Sequence, residues 1–473
     1  MARVLFVQDV LFEAFGPEVL SSVLKREGHD CDMVVASAEG ERNMMREIRR
    51  FDPDILAFSI SSFGYRWAVD FAREAKRQID VLTVFGGAHP TFFPEFAREE
   101  GVDYACVGEG ERAIIDLAST IGNGHSPNDV ANLARSGEGG DLIRNPLEPL
   151  VEDLDSLPFA DRDIYFKYAP LRELGFKRFM VGRGCPYGCT YCTNRVQQEM
   201  YRGLGRYVRH REPEKVIEEI LEVQSRYGIK TVGFSDDTFT TNKRWTMRFL
   251  ELYRSEVRLP FTCLTRINEL DEELVESMAS AGCHFVSFGL EAGSEHIRRE
   301  VLNRRMSDDQ IRTGARLLHE VGIPFLTYNM FGLPGETAAD GLKTVELNIE
   351  IGTDVLGTTV FAPLMGTESY ELCKSQGFLD DTYDIEAFDR TTDSSALKNM
   401  PDLPFLSNLQ KIAFIAVKYP RLLPLVTWMA KLPLGPLYKL AYKVSLFFRH
   451  KLRYRLSTWE LIRLGMGSKG AFG

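Results

Sequence analysis

The sequence predicts an α/β protein built in series: a doubly wound parallel sheet, a partial (β/α)6 barrel related to the eight-fold barrel, and a basic helical C-terminal tail. Three observations predict it. Five short apolar runs alternate with amphipathic stretches over residues 1–120, six further strand–helix alternations follow from 176 to about 366, and the charge changes sign after residue 400. At 473 residues, 44% of them hydrophobic, the chain is too long for one ordinary domain and has enough apolar content for large cores.

The first five strands are expected at residues 4–7, 33–36, 55–60, 81–85 and 104–107. Between the first two, residues 17–27 read as a helix, with Val19, Leu20, Val23 and Leu24 on one face and Gly28 as the stop. Such alternation gives a Rossmann-like or flavodoxin-like sheet, whose ligands gather at the C-terminal ends of its strands. Polar and glycine residues collect there: Ser59, Ser61 and Ser62 after the third strand, Gly86, Gly87 and His89 after the fourth, Gly108 to Glu111 after the fifth. No GxGxxG follows the first strand, which disfavours a dinucleotide. The lone His89 is expected to bond loop backbone rather than hold a metal.

Glycines, the run GEGG and Pro146, Pro149 and Pro158 mark a connector. The expected boundaries are therefore 1–135 for the first domain, 136–175 for a linker, 176–400 for the barrel and 401–473 for the tail. Barrel strands are expected near 176–183, 230–235, 261–267, 283–290, 323–331 and 355–362. Helix faces between them include Val216, Ile220 and Val223 closed by Gly228, and Leu274, Val275 and Met278 closed by Gly282; Ser307 with Gln310 forms a capping box. Six units are two short of a full barrel.

Chemistry concentrates in the string GRGCPYGCTYC, which follows the first barrel strand and carries Cys185, Cys189 and Cys192. Gly184, Pro186 and Gly188 let the loop turn tightly enough for three thiolates to meet three corners of an iron–sulfur cube, leaving one iron open. Zinc is the competing reading, but no fourth Cys or His follows at a usual spacing. Cys31, Cys106, Cys263, Cys283 and Cys373 are scattered through apolar runs and read as reduced core residues. With no signal-peptide pattern and no apolar run near the ~18 residues a membrane span needs, a cytoplasmic protein is expected.

Net charge is −10, yet residues 401–473 hold twelve Lys or Arg against Asp402 and Glu460, which makes that tail +10 and the first 400 residues −20. Apolar stretches at 412–417 and 422–430, with Arg449, Lys451, Arg453 and Arg455 after Leu446, Phe447 and Phe448, suggest that residues 405–465 touch the face of an anionic membrane. Packing of a helical extension on the acidic body is the alternative. No nucleic-acid partner is expected.

The cysteine loop resembles the cluster site of the radical S-adenosylmethionine (SAM) enzymes, whose open iron chelates SAM. The resemblance implies that Tyr191, before the last cysteine, lies near the adenine. It also implies that Glu291 in FGLEAGS bonds the ribose, and that GLPGET (332–337) and PLMGTESY (363–370) belong to the core. Asp236 and Asp237 after the second barrel strand are candidates for the amino group of SAM, or else plain capping aspartates, and Arg266 suits a carboxylate. The preceding domain resembles the cobalamin-binding domain of cobalamin-dependent radical SAM enzymes, with Ser59, Ser61, Gly86 and Gly87 matching its cobalamin loops. DVLFEAFG stands where DxHxxG would supply a histidine to cobalt, so none from that motif is expected.

Together these imply a 4Fe-4S cluster, SAM and cobalamin as cofactors. The implied enzyme is a methyltransferase acting on an unactivated carbon through a 5′-deoxyadenosyl radical and methylcobalamin. Oxidative cyclisation or ring rearrangement without methyl transfer is the alternative, and a non-enzymatic cobalamin or cluster sensor a second. The implied partners are a small-molecule or lipid-like substrate and a flavodoxin- or ferredoxin-type electron donor.

Overall fold

The computed structural model describes residues 1–62, 64–380, 383–384 and 395–454, with side chains described through Leu446. It forms two compact units. Among the described residues, one is Met1–Leu174 with Tyr201–Arg206; the other is Gly175–Met200 with Tyr207–Tyr454.

In the first unit the strands β1 (Arg3–Gln8), β2 (Asp30–Val35), β3 (Ile55–Ser59), β4 (Leu82–Gly86) and β5 (Tyr104–Cys106) are parallel in the order β2-β1-β3-β4-β5. Val4, Leu5, Phe6 and Val7 of β1 are all buried, because helices cover both faces of the sheet. On one side lie Val23 and Leu24 of the helix Phe15–Arg26; Met44, Ile48 and Ala72 belong to a core with Leu5, Val7, Leu56 and Phe58. The strand order reverses between β1 and β3, so their loops open the crevice where ligands of such sheets bind.

Two strands were not expected from sequence. β6 (Leu133–Ser136) and β7 (Leu142–Arg144) add antiparallel to the sheet beyond β5. The GEGG run is their hairpin turn, with Gly137 N–H donating to the Asp141 carbonyl at 2.8 Å. The first unit therefore continues through Leu174, where the sequence placed a linker at 136–175.

The second unit begins with β8 (Phe176–Phe179) and the short β9 (Gly182–Arg183), which pairs antiparallel with β10 (Arg209–His210). β11 (Thr231–Phe234), β12 (Phe261–Thr265), β13 (Cys283–Glu291), β14 (Phe325–Phe331) and β15 (Val355–Val360) complete a six-stranded parallel sheet ordered β8-β11-β12-β13-β14-β15. This is the expected partial barrel, and the capping box at Ser307 and Gln310 is formed. Phe234, Phe239, Phe249, Tyr253 and Phe261 pack ring to ring beneath β11 and β12, the Phe234–Phe239 centroids 4.8 Å apart. Truncating one such ring to Ala costs about 3–5 kcal/mol.

The first helix of the tail packs into the second unit. Helix Leu403–Lys418 buries Leu406, Leu409, Ile412, Ala413 and Ala416 in a core with Phe331 and Val345. Gln410 donates to the Thr358 carbonyl at 3.2 Å, and the Thr358 hydroxyl donates to the Gln410 carbonyl at 2.8 Å, which ties this helix to β15 at the sheet's edge. Phe447, Phe448, Arg449, Lys451, Arg453 and Arg455 lie outside the described side chains. Among the described residues no helix is long and apolar enough to cross a membrane.

Candidate functional site

All eight cysteines are free thiols, and Cys31, Cys106, Cys263, Cys283 and Cys373 are buried as expected. The other three sit on one loop at the C-terminal mouth of the barrel, between β9 and the helix Thr193–Met200. Gly184 has a φ of 85°, and a Cβ there would collide with the Tyr207 carbonyl, so only glycine lets the chain enter the loop this way. The loop is fastened from several sides. Asn303 donates to the Gly188 carbonyl at 2.7 Å and Thr190 Oγ1 to the Val301 carbonyl at 2.7 Å. Ser369 N–H donates to the Thr190 carbonyl at 3.0 Å, which shows what the PLMGTESY segment does.

Charge is arranged around the sulfurs. Arg266 and Arg304 each bring a guanidinium nitrogen to 3.8 Å from Cys189 Sγ, and Asn194 Nδ2 lies 3.6 Å from Cys192 Sγ. Burial pushes the Cys185 thiol up to about 12 and raises Cys192 as well. Thiolates on this loop therefore call for a positively charged partner. Among the described residues no three Cys, His, Asp or Glu side chains close on one point as ligands of a single metal ion. A cube asks instead for sulfurs spread around it, with N–H donors nearby, and the loop's donor set suits that group.

The sequence-predicted residues at the strand ends divide. Glu291 ends β13 with a φ of 69°, a left-handed conformation that is strained for a side chain of its size. It is 9% exposed; burial pushes its carboxyl up, while Arg304, a hydrogen bond with Tyr191 and Arg266 pull it back. Arg304 also lies 3.4 Å from the Tyr191 hydroxyl and donates to the Gly289 carbonyl at 2.6 Å. Tyr191, Glu291 and Arg304 are thus one cluster, and Gly289 makes room for it: a Cβ there would collide with Glu291 Oε1. Tyr191 packs with Leu302 and Leu333, the latter in the GLPGET turn. Glu336 of that turn folds back, its Oε2 accepting from Gly332 N–H at 2.6 Å and Leu333 N–H at 2.9 Å.

Asp236 holds backbone: its carboxylate accepts from Val181 N–H at 3.1 Å and Gly182 N–H at 2.8 Å, which pins β9, and it lines the same polar cavity as Asp237. Burial pushes it to about 7 despite those donors. Asp237 lies beside the cysteine loop, raised by burial and drawn back by Asn194, and with His210 and Gly184 it lines a polar cavity of ≈ 50 Å³. Arg266 is 4% exposed, stacked over the Tyr187 ring at 3.8 Å, so it is a buried cation at the barrel mouth. A larger depression of ≈ 470 Å³, lined by Arg254, Pro260 and His284, opens before β12 and β13, at the end of the sheet away from this chemistry.

Sequence reasoning missed Arg304 and Glu269. Glu269 collects the Tyr187 hydroxyl at 2.6 Å and the Thr238 hydroxyl at 3.1 Å, which fixes Tyr187 within the cysteine loop. Arg304 stands in the polar run NRRMS, which reads as an ordinary surface loop.

In the first unit, Gly87 has a φ of 99°, and a Cβ on it would stand 2.6 Å from the Ile60 carbonyl oxygen. Ile60 N–H donates to the Gly86 carbonyl at 2.8 Å, so the loops after β3 and β4 are clasped, with Ser59 and Ser61 exposed along the ledge. A Cβ on Gly16 would meet Ser59 Oγ at 3.4 Å, which sets Ser59 across the crevice from the β1 loop. Leu11, buried, stands where DxHxxG would have histidine. His89 is structural: it stacks on Tyr65 at 4.0 Å, hydrogen-bonds Ser62 at 3.1 Å and is held down to about 4 by burial.

A loop of thiols at the mouth of a six-stranded parallel barrel, in a chain that also has a doubly wound unit with an open backbone ledge, defines a two-cofactor α/β protein. Residues 179–347 match the model of the radical SAM superfamily and residues 10–118 that of the B12 binding domain. The chain belongs to the cobalamin-dependent radical SAM enzymes. It is 28% identical over 362 residues to an uncharacterised methyltransferase of Pyrococcus horikoshii, covering 75% of this chain and 77% of that one. The radical SAM methyltransferase TsrM from Kitasatospora setae, solved with tryptophan and a SAM analogue, superposes with a TM-score of 0.65 at 20% identity over 80% of this chain and 77% of that one. The cobalamin-dependent enzyme OxsB, solved with aqua-cobalamin and SAM, gives 0.69 at 14% identity over 98% of this chain and 74% of that one. At these identities the structural likeness is one of fold.

Proposed function

We propose that the protein is a C-methyltransferase that moves the methyl group of SAM to an unactivated carbon of a small-molecule or lipid-like substrate, drawing electrons from a flavodoxin- or ferredoxin-type donor. The observation that supports this most is the thiol loop: three free cysteines at the barrel mouth, with Arg266 and Arg304 each 3.8 Å from Cys189 Sγ. When bound, a four-iron cluster supplies the electron that splits SAM and a corrinoid carries the methyl group.

The chain's own residues do the rest. Cys185, Cys189 and Cys192 hold three corners of the cluster, and the two guanidiniums offset the thiolate charge. Glu291, an acceptor only when ionised, takes the ribose hydroxyls, with Arg304 and Tyr191 fixing its carboxylate. Tyr191 and Leu333 wall the apolar side of that site. Asp237 and Asp236, which line one polar cavity with Gly184, are the carboxylates for the amino group of SAM, Asp236 also holding backbone. Gly86 and Gly87, with Ser59 and Ser61, offer a ledge on which a corrin approaches backbone closely. The Pyrococcus relative, a methyltransferase by name, supports methyl transfer.

The test is anaerobic incubation of the reduced, cofactor-loaded protein with methyl-deuterated SAM and an extract of small molecules and lipids, followed by mass spectrometry. A product carrying the labelled methyl on carbon is expected. If 5′-deoxyadenosine forms and no labelled product does, methyl transfer is refuted while SAM cleavage stands; with neither, both are refuted.

A further inference from the structure

We propose that the C-terminal helices form a docking face for the surface of an anionic lipid bilayer. This inference stands apart from the reading of the reaction. Of the eleven large exposed hydrophobics among the described residues, eight lie between 419 and 444. They are ordered in stripes. Leu422, which caps the helix Leu423–Met429, and Leu425 and Trp428 within it recur every three residues, while Val426 and Ala430 face the core. On the helix Gly435–Tyr454, Leu437, Leu440 and Val444 are exposed, whereas Tyr438 and Tyr442 are buried, 1% and 2% exposed. Both helices are thus apolar on two sides, and among the described residues one side is packed and the other exposed. Tyr438 donates to the Met429 carbonyl at 2.7 Å and Tyr442 donates to the Thr358 carbonyl, so the outward side is held in place.

Charge selects the occupant. Residues 403–446 contain six Lys or Arg and no Asp or Glu, in a chain whose net charge is −10. Lys418, Arg421, Lys431 and Lys443 are exposed around the apolar stripes. Leucine and tryptophan rimmed by lysine is the composition of a helix lying in a bilayer interface, its apolar side among the acyl chains and its cations at the headgroups. A second copy of the same face would set like charges opposite one another, and lysine is scarce in the centres of protein interfaces. Among the described residues no helix is long and apolar enough to span, so the proposed contact is with one leaflet.

The full-length protein is sedimented with vesicles of phosphatidylglycerol and phosphatidylcholine, and with phosphatidylcholine alone. Binding is expected for the anionic vesicles and weakens with salt. The variant Leu425→Glu/Trp428→Glu/Leu437→Glu, altered only at exposed positions, should bind on the order of tenfold less or weaker. Lys418→Gln/Arg421→Gln/Lys431→Gln/Lys443→Gln should lose the preference for anionic lipid. Quenching of tryptophan fluorescence by brominated lipid, present in the wild type and lost in Trp428→Phe, places this face at the bilayer. Equal binding by wild type and the triple Glu variant, or no binding by either, overturns the proposal. So does a concentration-dependent dimer that the triple Glu variant abolishes without any vesicle binding, which assigns the face to a second copy.

Discussion

The two cofactor regions are built from opposite materials. At the barrel mouth the side chains carry the chemistry: three thiols, two guanidiniums near Cys189 and the Glu291 carboxyl held by Arg304 and Tyr191. On the first unit side chains are small, and Gly87, Gly86 and two serines leave backbone open where the proposed corrin site lies. Side-chain sites are deleted by removing atoms; backbone sites are deleted by adding them. The largest expected effect tests the first kind. Cys185→Ala/Cys189→Ala/Cys192→Ala should abolish the iron–sulfur absorbance and SAM cleavage while corrinoid binding by the first unit persists. A reconstituted triple variant with a normal four-iron spectrum would refute the cluster site.

Adding atoms tests the second kind. Gly87→Val puts a branched side chain at a φ of 99°, with its Cβ against the Ile60 carbonyl, so the clasp between the β3 and β4 loops must open. Corrinoid affinity should fall by about 100-fold or more, since misplaced backbone removes several contacts at once, while the cluster absorbance stays. Unchanged cobalamin titration would remove this ledge as the corrin site. The same titration followed by paramagnetic resonance of the cobalt(II) form checks the coordination: with Leu11 in place of histidine and His89 locked against Tyr65, no nitrogen splitting is expected.

Legibility followed the same division. The parallel strands of both sheets and the cysteine loop were readable because apolar runs and Cys spacing are local signals, and the box at Ser307 and Gln310 formed as read. Features that depend on distant partners were not. GEGG reads as linker until β6 and β7 are seen to need a tight turn. Asp236 reads as either a SAM-facing or a capping carboxylate, and its backbone partners, the amides of Val181 and Gly182, lie more than fifty residues earlier. Arg304 reaches Cys189 and Tyr191 from a polar loop with no periodicity. The helix Leu403–Lys418 reads as a detached basic tail until the open edge of the barrel at β15 is known, because its Leu406, Leu409 and Ile412 need that surface to be core.

Within the barrel site, the strained Glu291 offers a smaller and more specific break. Glu291→Gln keeps the shape but replaces an acceptor with a group that is part donor, and it leaves Arg304 without its carboxylate. SAM affinity should drop by about tenfold with corrinoid binding unchanged, a loss of one charge-assisted hydrogen bond worth about 1.5–3 kcal/mol. Equal SAM titrations for wild type and variant would take Glu291 out of the site.

The smallest expected effect contrasts the units by pH. His89 in the first unit is held down to about 4 by burial, below its ordinary 6.5, so the unfolded chain binds the extra proton first. Its contribution is present above pH 6.5 and is lost as pH falls toward 4. Glu336 in the second unit runs the other way. Burial pushes it from 4.5 to about 8 although Gly332 and Leu333 donate to it, so the folded form binds the proton first, and stability falls as pH rises from 4.5 through 8. His89→Gln should flatten the acid limb and Glu336→Gln should raise stability near pH 8, each by an amount on the order of 1–2 kcal/mol after discount for relaxation of the buried site. Urea denaturation across pH 4.5–8.5 reads both. A barrel transition that does not respond to Glu336→Gln at pH 8, where the carboxylate is forming, would mean that the 332–337 turn opens to water before the rest of the barrel unfolds.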